Sequence, residues 1–323
     1  MHPAIEELVR KLVNAPVRQP VHEAINSRVN ELCEDREFLY DAIKRSITRP
    51  GFLDNTIDLT IHLCALGDVM VNINIFVPPR DGARNICQDN IHHHGWRQLT
   101  TGILSGDGYD TIEFVPRSHE KRDGDRVLLE VHEDYHHSPG KARYIPEHQA
   151  HVVFQPDTTT TTLAVWSADK PMVNQSIKRS LQGFPGVRKA AVKVIRGLGM
   201  EGLFGINKTK GLYYHPYRGR IVETQDYRKP WDGRNDEMLN CMFRFFQQVD
   251  FTDSKFWSDH KKQVASHVVP WIDKLLAGEP IPDRGIWGHP RRRFSKTQIL
   301  QAIDNSYPPD NREAESESAK AES

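Results

Sequence analysis

The first fifty residues carry apolar side chains at the spacing of amphipathic helices. Apolar positions three or four residues apart form a first stripe at Ile5, Leu8, Val9, Leu12 and Val13. A second stripe runs from Val21 to Ile47 after Pro16 and Pro20 interrupt the first, and Pro50 with Gly51 ends it. This period of about 3.6 residues predicts N-terminal helices over residues 1–50, each with one face packed on a core.

From residue 57 the apolar positions alternate with polar ones, which is the period of a β-strand with one buried face. The alternation, or an apolar run between turn residues, predicts seven strands at residues 57–63, 69–77, 97–104, 109–115, 126–133, 151–155 and 160–166. Turn signals separate several of them, including Gly67 with Asp68 and the segment 106–108. Many short strands at this spacing predict an antiparallel sandwich or barrel over residues 55–170.

The pattern after residue 176 is mixed. Residues 187–198 predict a helix, residues 211–224 a hairpin or a covering loop, and helical spacing returns at 238–249, 264–275 and 298–305. Residues 308–323 are rich in glutamate, serine and alanine, so we expect a disordered tail. No polar linker separates these parts, and residues 1–307 are therefore predicted to form one domain, with 176–305 as a mixed hairpin and helical extension.

Composition narrows the classes of partner. Lysine plus arginine equals aspartate plus glutamate at 43 each in 323 residues, so no charge excess predicts binding to nucleic acid or to a membrane. The four cysteines have no zinc-ribbon spacing, the N-terminus has no signal-peptide pattern, and no apolar run approaches about 18 residues. We expect a cytoplasmic protein. A homodimer is left open, because packing on the barrel explains the helical stripes equally well.

Two histidine-bearing segments carry the candidate chemistry. His92 and His94 lie two residues apart and would share one face of a strand, whereas His93 would face the other way. His151 starts a later predicted strand. Two imidazoles from one strand and a third from a distant strand can bind a metal and leave coordination positions open for substrate. Three neutral ligands leave the metal's charge uncompensated, which favours anionic ligands.

These segments resemble the two motifs of the cupin superfamily over residues 55–170. Gly140, Pro146 and His151 stand at the spacings of the second motif, while His148 replaces its second glycine and Gln155 its asparagine. In the first motif the matching positions are His92, His94 and Gly106, with Gln98 or Leu99 in place of glutamate. The resemblance implies a mainly β fold, a double-stranded β-helix (jelly-roll-like) barrel with helical extensions at both ends.

Within that superfamily the chain is similar to thiol dioxygenases of the cysteine dioxygenase type, which hold ferrous iron with three histidines and no carboxylate. The resemblance implies that His92, His94 and His151 bind iron(II) and that the chain oxidises a small organic substrate with dioxygen. Zinc, nickel, manganese and copper remain as other metals, because imidazole donors do not select iron. The serine-histidine-tyrosine relay of those enzymes is not recognisable after His151, so cysteine as substrate does not carry over.

Two alternatives stay open beside the oxygenase. One is a non-redox cupin isomerase or lyase that uses the metal as a Lewis acid, and the other is a metal-free binding protein.

Further residues are candidates for the substrate pocket. Arg97, Tyr109 and His148 lie on or beside predicted barrel strands, as do three others: Arg143, Tyr144 and Trp166. A guanidinium among them could clamp a carboxylate. A surface or rim position is nevertheless the preferred interpretation of each residue, except for His148, where the two interpretations are equal. Gln98 is either a neutral ligand or outer-sphere donor to the metal site, or a polar residue facing solvent.

A rival motif lies at residues 132–136. His132 and His136 flank Glu133 in the pattern of zinc proteases. That chemistry requires a helix, whereas the preceding residues alternate like a strand and a turn follows at 138–140. We therefore predict a strand here and no protease site.

Overall fold

The computed structural model describes residues 2–54, 59–80, 85–87, 91–115, 121–123, 126–168, 213–217, 220–224, 235–283 and 294–304. The helix predicted at 187–198 and the tail predicted at 308–323 lie outside these residues.

The N-terminal helices are confirmed. They are α1 (Pro3–Asn14), α2 (Gln19–Ala24), α3 (Asn26–Glu34) and α4 (Arg36–Ile47). The side chains of His2 and Asp35 accept hydrogen bonds from the first backbone amides of α1 and α4, which satisfies donors that a helix start leaves unpaired. The apolar faces of these helices share a buried cluster with Val69, Val71 and Val165, so the periodicity of the sequence corresponds to burial against a sheet.

One antiparallel sheet lies under these helices. Its strands are β1 (Thr60–Leu66), β2 (Val69–Phe76), β4 (Arg97–Ser105), β9 (Arg143–Ile145) and β11 (Thr160–Ala168). Their order across the sheet is β1-β2-β11-β4-β9. The predicted turn at Gly67 and Asp68 joins β1 to β2, with Leu66 opposite Val69.

The second sheet is also antiparallel. It contains β3 (Ile91–His92), β5 (Tyr109–Phe114), β6 (Lys121–Asp123), β7 (Arg126–Leu128), β8 (Val131–His137), β10 (His151–Val153), β12 (Tyr213–Tyr217) and β13 (Arg220–Thr224). The order is β6-β7-β13-β12-β3-β10-β5-β8. Strands β12 and β13 pair with each other, so the prediction of a hairpin within 211–224 is confirmed.

Two predictions need correction. The single strand expected at 126–133 is two strands, because β7 pairs with β6 and β13 whereas β8 pairs with β5. A closed barrel is not seen among the described strands, whose hydrogen bonds form two separate sheets. Between β4 and β5 the chain passes from one sheet to the other through Gly106 and Gly108, whose φ angles of 88° and 99° favour glycine.

C-terminal helices pack on the outer faces of both sheets. They are α5 (Asn235–Gln248), α6 (Ser254–His260), α7 (Val269–Leu276) and α8 (Lys296–Asp304). The aromatic face of α5 packs against Ile73 and Ile75, on the same face of the first sheet that the N-terminal helices cover. Helix α8 packs Ile299 against the outer face of the second sheet. Within the described residues, no helix is both long and apolar enough to cross a membrane.

Candidate metal centre

The three predicted histidines come together on the inner face of the second sheet. His151 lies directly opposite His92 in the pairing of β10 with β3, and opposite residues in an antiparallel pair point to the same face. His94 lies two residues beyond the end of β3. One ring nitrogen from each histidine lies within 4.8 Å of the other two. The centroid of the His151 ring is 4.6 Å from that of His92 and 4.6 Å from that of His94.

The donor set suits a divalent metal. Nδ1 of His151 lies 3.0 Å from the carbonyl oxygen of Gln149, which favours the proton on Nδ1 and leaves Nε2 as the electron-pair donor. Burial and the neighbouring histidines lower the pKa of His151 to about 3 and that of His94 well below its usual value. Both rings are therefore neutral at pH 7, the form that binds a metal. Nδ1 of His94 is buried and has no hydrogen-bond partner among the described residues.

His93 is separated from this cluster. Its Nδ1 accepts a hydrogen bond of 2.9 Å from the backbone amide of Gly95, and its ring packs 5.3 Å from that of His148. The expectation that His93 faces away from His92 and His94 agrees with this placement. Strand β3 ends at His92. His94 is therefore placed by a turn at Gly95, which has a φ of 63°, and not by strand alternation.

A cavity of about 180 Å³ lies between the two sheets, and the cluster forms part of its wall. This volume is below the roughly 300–1,000 Å³ of typical ligand pockets, so the cavity fits a small molecule. Apolar side chains from both sheets contribute much of the wall: Phe76, Leu99, Ile145, Val153, Ala164 and Trp166. The rings of Trp166 and His94 pack in an edge-to-face arrangement at a centroid distance of 4.4 Å.

Two hydrogen-bonded pairs with at least one member in the cavity wall were not recognised in the sequence. Tyr109 and His137 are cross-strand partners, and the Tyr109 hydroxyl lies 3.2 Å from Nδ1 of His137. The Tyr135 hydroxyl donates to Glu113 at 2.5 Å. The available signal was the inward alternation of residues 133, 135 and 137, which the His132 and His136 motif obscured. That motif lies on strand β8 as predicted, with both of its histidines exposed.

The other candidates lie in different places. Tyr109 and Trp166 line the cavity, whereas Arg97 and His148 are not among its lining residues. His148 packs edge-on against Trp96 at 4.5 Å. Gln98 is buried, so the solvent-facing interpretation is wrong. Gln98 and Thr100 share one face of β4, and Leu99 between them lies on the other. Thr100 is hydrogen-bonded to His22 of α2, so Gln98 lies on the helix-covered face.

The two remaining candidates make structural contacts. Arg143 donates to Glu133 at 3.0 Å and lies over the Tyr135 ring at 3.9 Å. Tyr144 stacks on the ring of His22 at 5.8 Å. Neither is among the residues that line the cavity, so a carboxylate clamp by Arg143 has no support here.

Comparison with known proteins gives distant likenesses only. No family model matches the chain, and neither does any curated protein. Among solved structures, the DMSP lyase DddQ from Ruegeria pomeroyi DSS-3 is 13% identical over 35% of this chain and 48% of that chain, with a TM-score of 0.24. KdgF from Halomonas sp. is 16% identical over 34% of this chain and 76% of that chain, also at 0.24.

A cupin superfamily protein from Desulfitobacterium hafniense DCB-2 is 14% identical over 34% of this chain and 77% of that chain, with a TM-score of 0.23. The chain thus covers about half of DddQ and about three quarters of the other two. Because these TM-scores are far below 0.5, the activity of this chain has to be inferred from its own residues.

Proposed function

We propose that this chain is a mononuclear non-haem metal enzyme in which His92, His94 and His151 hold iron(II), and that it oxidises a small organic substrate with dioxygen. The observation that carries the proposal is the convergence of three imidazoles from two separate segments at the wall of a small cavity. An iron(II) ion in such a site would keep its charge uncompensated and offer open positions to an anionic substrate group and to dioxygen.

The residues of the chain have distinct tasks in this proposal. The backbone carbonyl of Gln149 fixes the ring of His151 and thereby directs one lone pair toward the cluster. Phe76, Leu99 and Trp166 form apolar walls that exclude water around the reacting groups. Holding the substrate beside the three histidines replaces an encounter in solution by a fixed geometry.

A non-redox reaction, an isomerisation or elimination, is the second candidate. It is favoured by the Tyr135–Glu113 pair, because Tyr135 lines the cavity and its hydroxyl donates to Glu113 at 2.5 Å. Burial raises the pKa of Glu113, and it also raises that of Tyr135, with the negative charge of Glu113 adding to the effect. A phenol and a carboxyl that share a hydrogen bond can transfer a proton to or from a substrate.

Metal-specific activity distinguishes these candidates. The protein is purified without oxygen, and its metal content is measured before it is reconstituted with iron(II), zinc or manganese. Oxygen uptake is then followed with thiols, diketones, amino acids and phenols. The oxygenase predicts substrate-dependent oxygen uptake with iron only. Turnover with zinc or manganese under nitrogen would instead establish the non-redox reaction, and absence of stoichiometric metal in any preparation would favour a metal-free binding protein.

A matched pair of variants tests the ligand set. His151→Ala removes an imidazole of the cluster, and we expect it to abolish both metal loading and turnover. His132→Ala removes an exposed imidazole from strand β8, and we expect it to retain both. Full oxygen consumption by His151→Ala would overturn the assignment.

A further inference from the structure

The cavity has a second polar end, away from the three histidines. Tyr109 and His137 face each other across β5 and β8 and line the same cavity. Glu113 is the partner of His151 in the pairing of β10 with β5. Tyr109 lies on the same strand, four residues before Glu113. At about 3.4 Å per residue, this places Tyr109 about 14 Å along the strand from the level of His151.

The Tyr109 ring is held from two sides. Phe76 of the opposite sheet packs against it at a centroid distance of 4.7 Å, and His137 meets it edge-on at 5.3 Å. The preceding Gly108 has a φ of 99°, and a side chain there would lie 1.9 Å from the carbonyl oxygen of His137. This close approach of the two strands sets the distance between the tyrosine and the histidine.

The two side chains share one hydrogen bond across the strands. The Tyr109 hydroxyl lies 3.2 Å from Nδ1 of His137, and the tautomer of the imidazole decides which of the two groups is the donor. Among the described residues, Nε2 of His137 is buried without a hydrogen-bond partner. Because a phenol hydroxyl can both donate and accept, the Tyr109 hydroxyl keeps hydrogen-bonding capacity for a ligand in the cavity beside its bond to His137.

Both members of the pair are uncharged near pH 7. Burial lowers the pKa of His137 to about 4, and the charge of Arg143 acts in the same direction. Burial raises the pKa of the Tyr109 hydroxyl. A neutral pair in a buried cavity discriminates against a charged group, which would lose its hydration without gaining a counter-ion.

We propose that Tyr109 binds the end of the substrate remote from the three histidines, that this end carries an uncharged hydrogen-bonding group such as a hydroxyl, and that His137 positions the tyrosine. The inference rests on the proposed function, because it assumes that the cavity is the substrate site. The substrate is then a small molecule with an anionic, metal-binding group at one end, an apolar body and a neutral polar group at the other.

Two probes of matched size test the inference by binding and not by turnover. 4-(2-Hydroxyethyl)catechol and 4-ethylcatechol share a chelating end and differ in a single hydroxyl at the other. Their affinities for the zinc-loaded full chain are measured by titration calorimetry, and zinc content is determined in the same samples. Because one hydrogen bond contributes modestly in net terms, we expect wild type to prefer the hydroxyl probe by about 3–10-fold.

Substitutions assign that preference to the pair. Tyr109→Phe keeps the ring against Phe76 and should reduce the preference to about onefold, with 4-ethylcatechol bound as before. His137→Leu should reduce it as well, whereas His137→Gln, whose amide can both donate to and accept from the Tyr109 hydroxyl, should keep part of it. Tyr40→Phe is the control, because the Tyr40 hydroxyl donates to the Val249 carbonyl at 2.9 Å, and Tyr40 is not among the residues lining the cavity.

The outcomes separate this inference from the metal proposal. Zinc binding with equal affinity for both probes in wild type and Tyr109→Phe would overturn the role of Tyr109 and leave the metal site standing. A preference that persists in wild type without stoichiometric zinc, and disappears in Tyr109→Phe, would support Tyr109 and contradict the metal site. Failure of the zinc-loaded protein to bind either probe would overturn the inference.

Discussion

Nδ1 of His151 lies 3.0 Å from the carbonyl oxygen of Gln149, two residues earlier in the chain. The side-chain amide of Gln149 in turn donates to the carbonyl of Phe114 on β5. One residue therefore fixes the tautomer of a candidate ligand with its backbone and ties that segment to the adjacent strand with its side chain.

Gln149→Leu should weaken metal binding without removing a ligand. Groups that orient a ligating histidine typically change metal affinity by about 10–100-fold when they are removed. Here the carbonyl itself remains and only its anchor is lost, so we expect a loss of up to about tenfold in zinc affinity, measured by competition with a chelator. Gln19→Leu, at an exposed glutamine bonded to Glu23, should leave the affinity unchanged. An unchanged affinity in Gln149→Leu would show that the anchor is dispensable.

Gly108→Ala should destabilise the protein more than Gly278→Ala. Both glycines have positive φ, 99° and 67°, so each substitution forces an L-residue into a strained conformation at a cost of about 1–2 kcal/mol. The new side chain at 108 would also meet the carbonyl oxygen of His137 at 1.9 Å, whereas nothing lies within 4 Å at 278. We expect at least about 3 kcal/mol for Gly108→Ala from urea unfolding. Equal losses in the two variants would contradict the close strand approach.

Arg18→Met should cost far more stability than the same change at an exposed arginine. Arg18 and Asp68 form a buried ion pair, and Asp68 also accepts from the backbone amide of Ala168 at 3.0 Å. Removing the arginine leaves a buried carboxylate without its counter-ion, at a cost of about 3–5 kcal/mol. Arg10→Met, which breaks an exposed pair with Glu6, should cost less than about 1 kcal/mol.

A double variant sharpens that comparison. Arg18→Met with Asp68→Asn removes both charges and keeps an acceptor for the Ala168 amide, so we expect it to be more stable than Arg18→Met alone. A double variant less stable than the single one would show that the uncompensated charge is not the main cost.

Stability should fall between about pH 6.5 and pH 4, in part through His22. This buried ring is hydrogen-bonded to Thr100 at 2.9 Å and to Ser167 at 2.8 Å. Burial lowers its pKa to about 4. Below pH 6.5, therefore, His22 is protonated in the unfolded chain but not in the folded one. Stability is lost as the pH falls to about 4, below which His22 is protonated in the folded chain too.

His22→Gln should reduce this pH dependence by one proton, or about 1.4 kcal/mol per pH unit between pH 6 and pH 4.5. The free energy of unfolding in urea at three pH values provides the measurement. His94, His137 and His151 also have lowered pKa values and act in the same direction, so a slope remains. His132→Gln, at an exposed position, should keep the full wild-type slope. An undiminished slope in His22→Gln would contradict the assignment.

Local pattern was enough to predict most elements. The helical stripe from Ile5 to Val13 and the alternation in β2 are properties of neighbouring residues, and burial of one face follows from them. The interruption of the strand at residues 129–130 could not be predicted from local pattern. It arises because β7 and β8 pair with different partner strands. The burial of Gln98 could not be predicted from local pattern either. Both faces of β4 are shielded from solvent, because helices pack on one face and the other lines the cavity between the sheets.

The sequence by itself determined the helical and strand periods, because these depend on residues close together in the chain. It also determined the candidate ligands His92, His94 and His151, because their residue type and spacing are properties of the sequence. Only the tertiary structure decided that Tyr109 faces His137, that Tyr135 meets Glu113 and that Arg97 and His148 lie away from the cavity wall. Those relationships depend on strand register and on which sheet each strand joins, and a shift of one residue would reverse every inward and outward face.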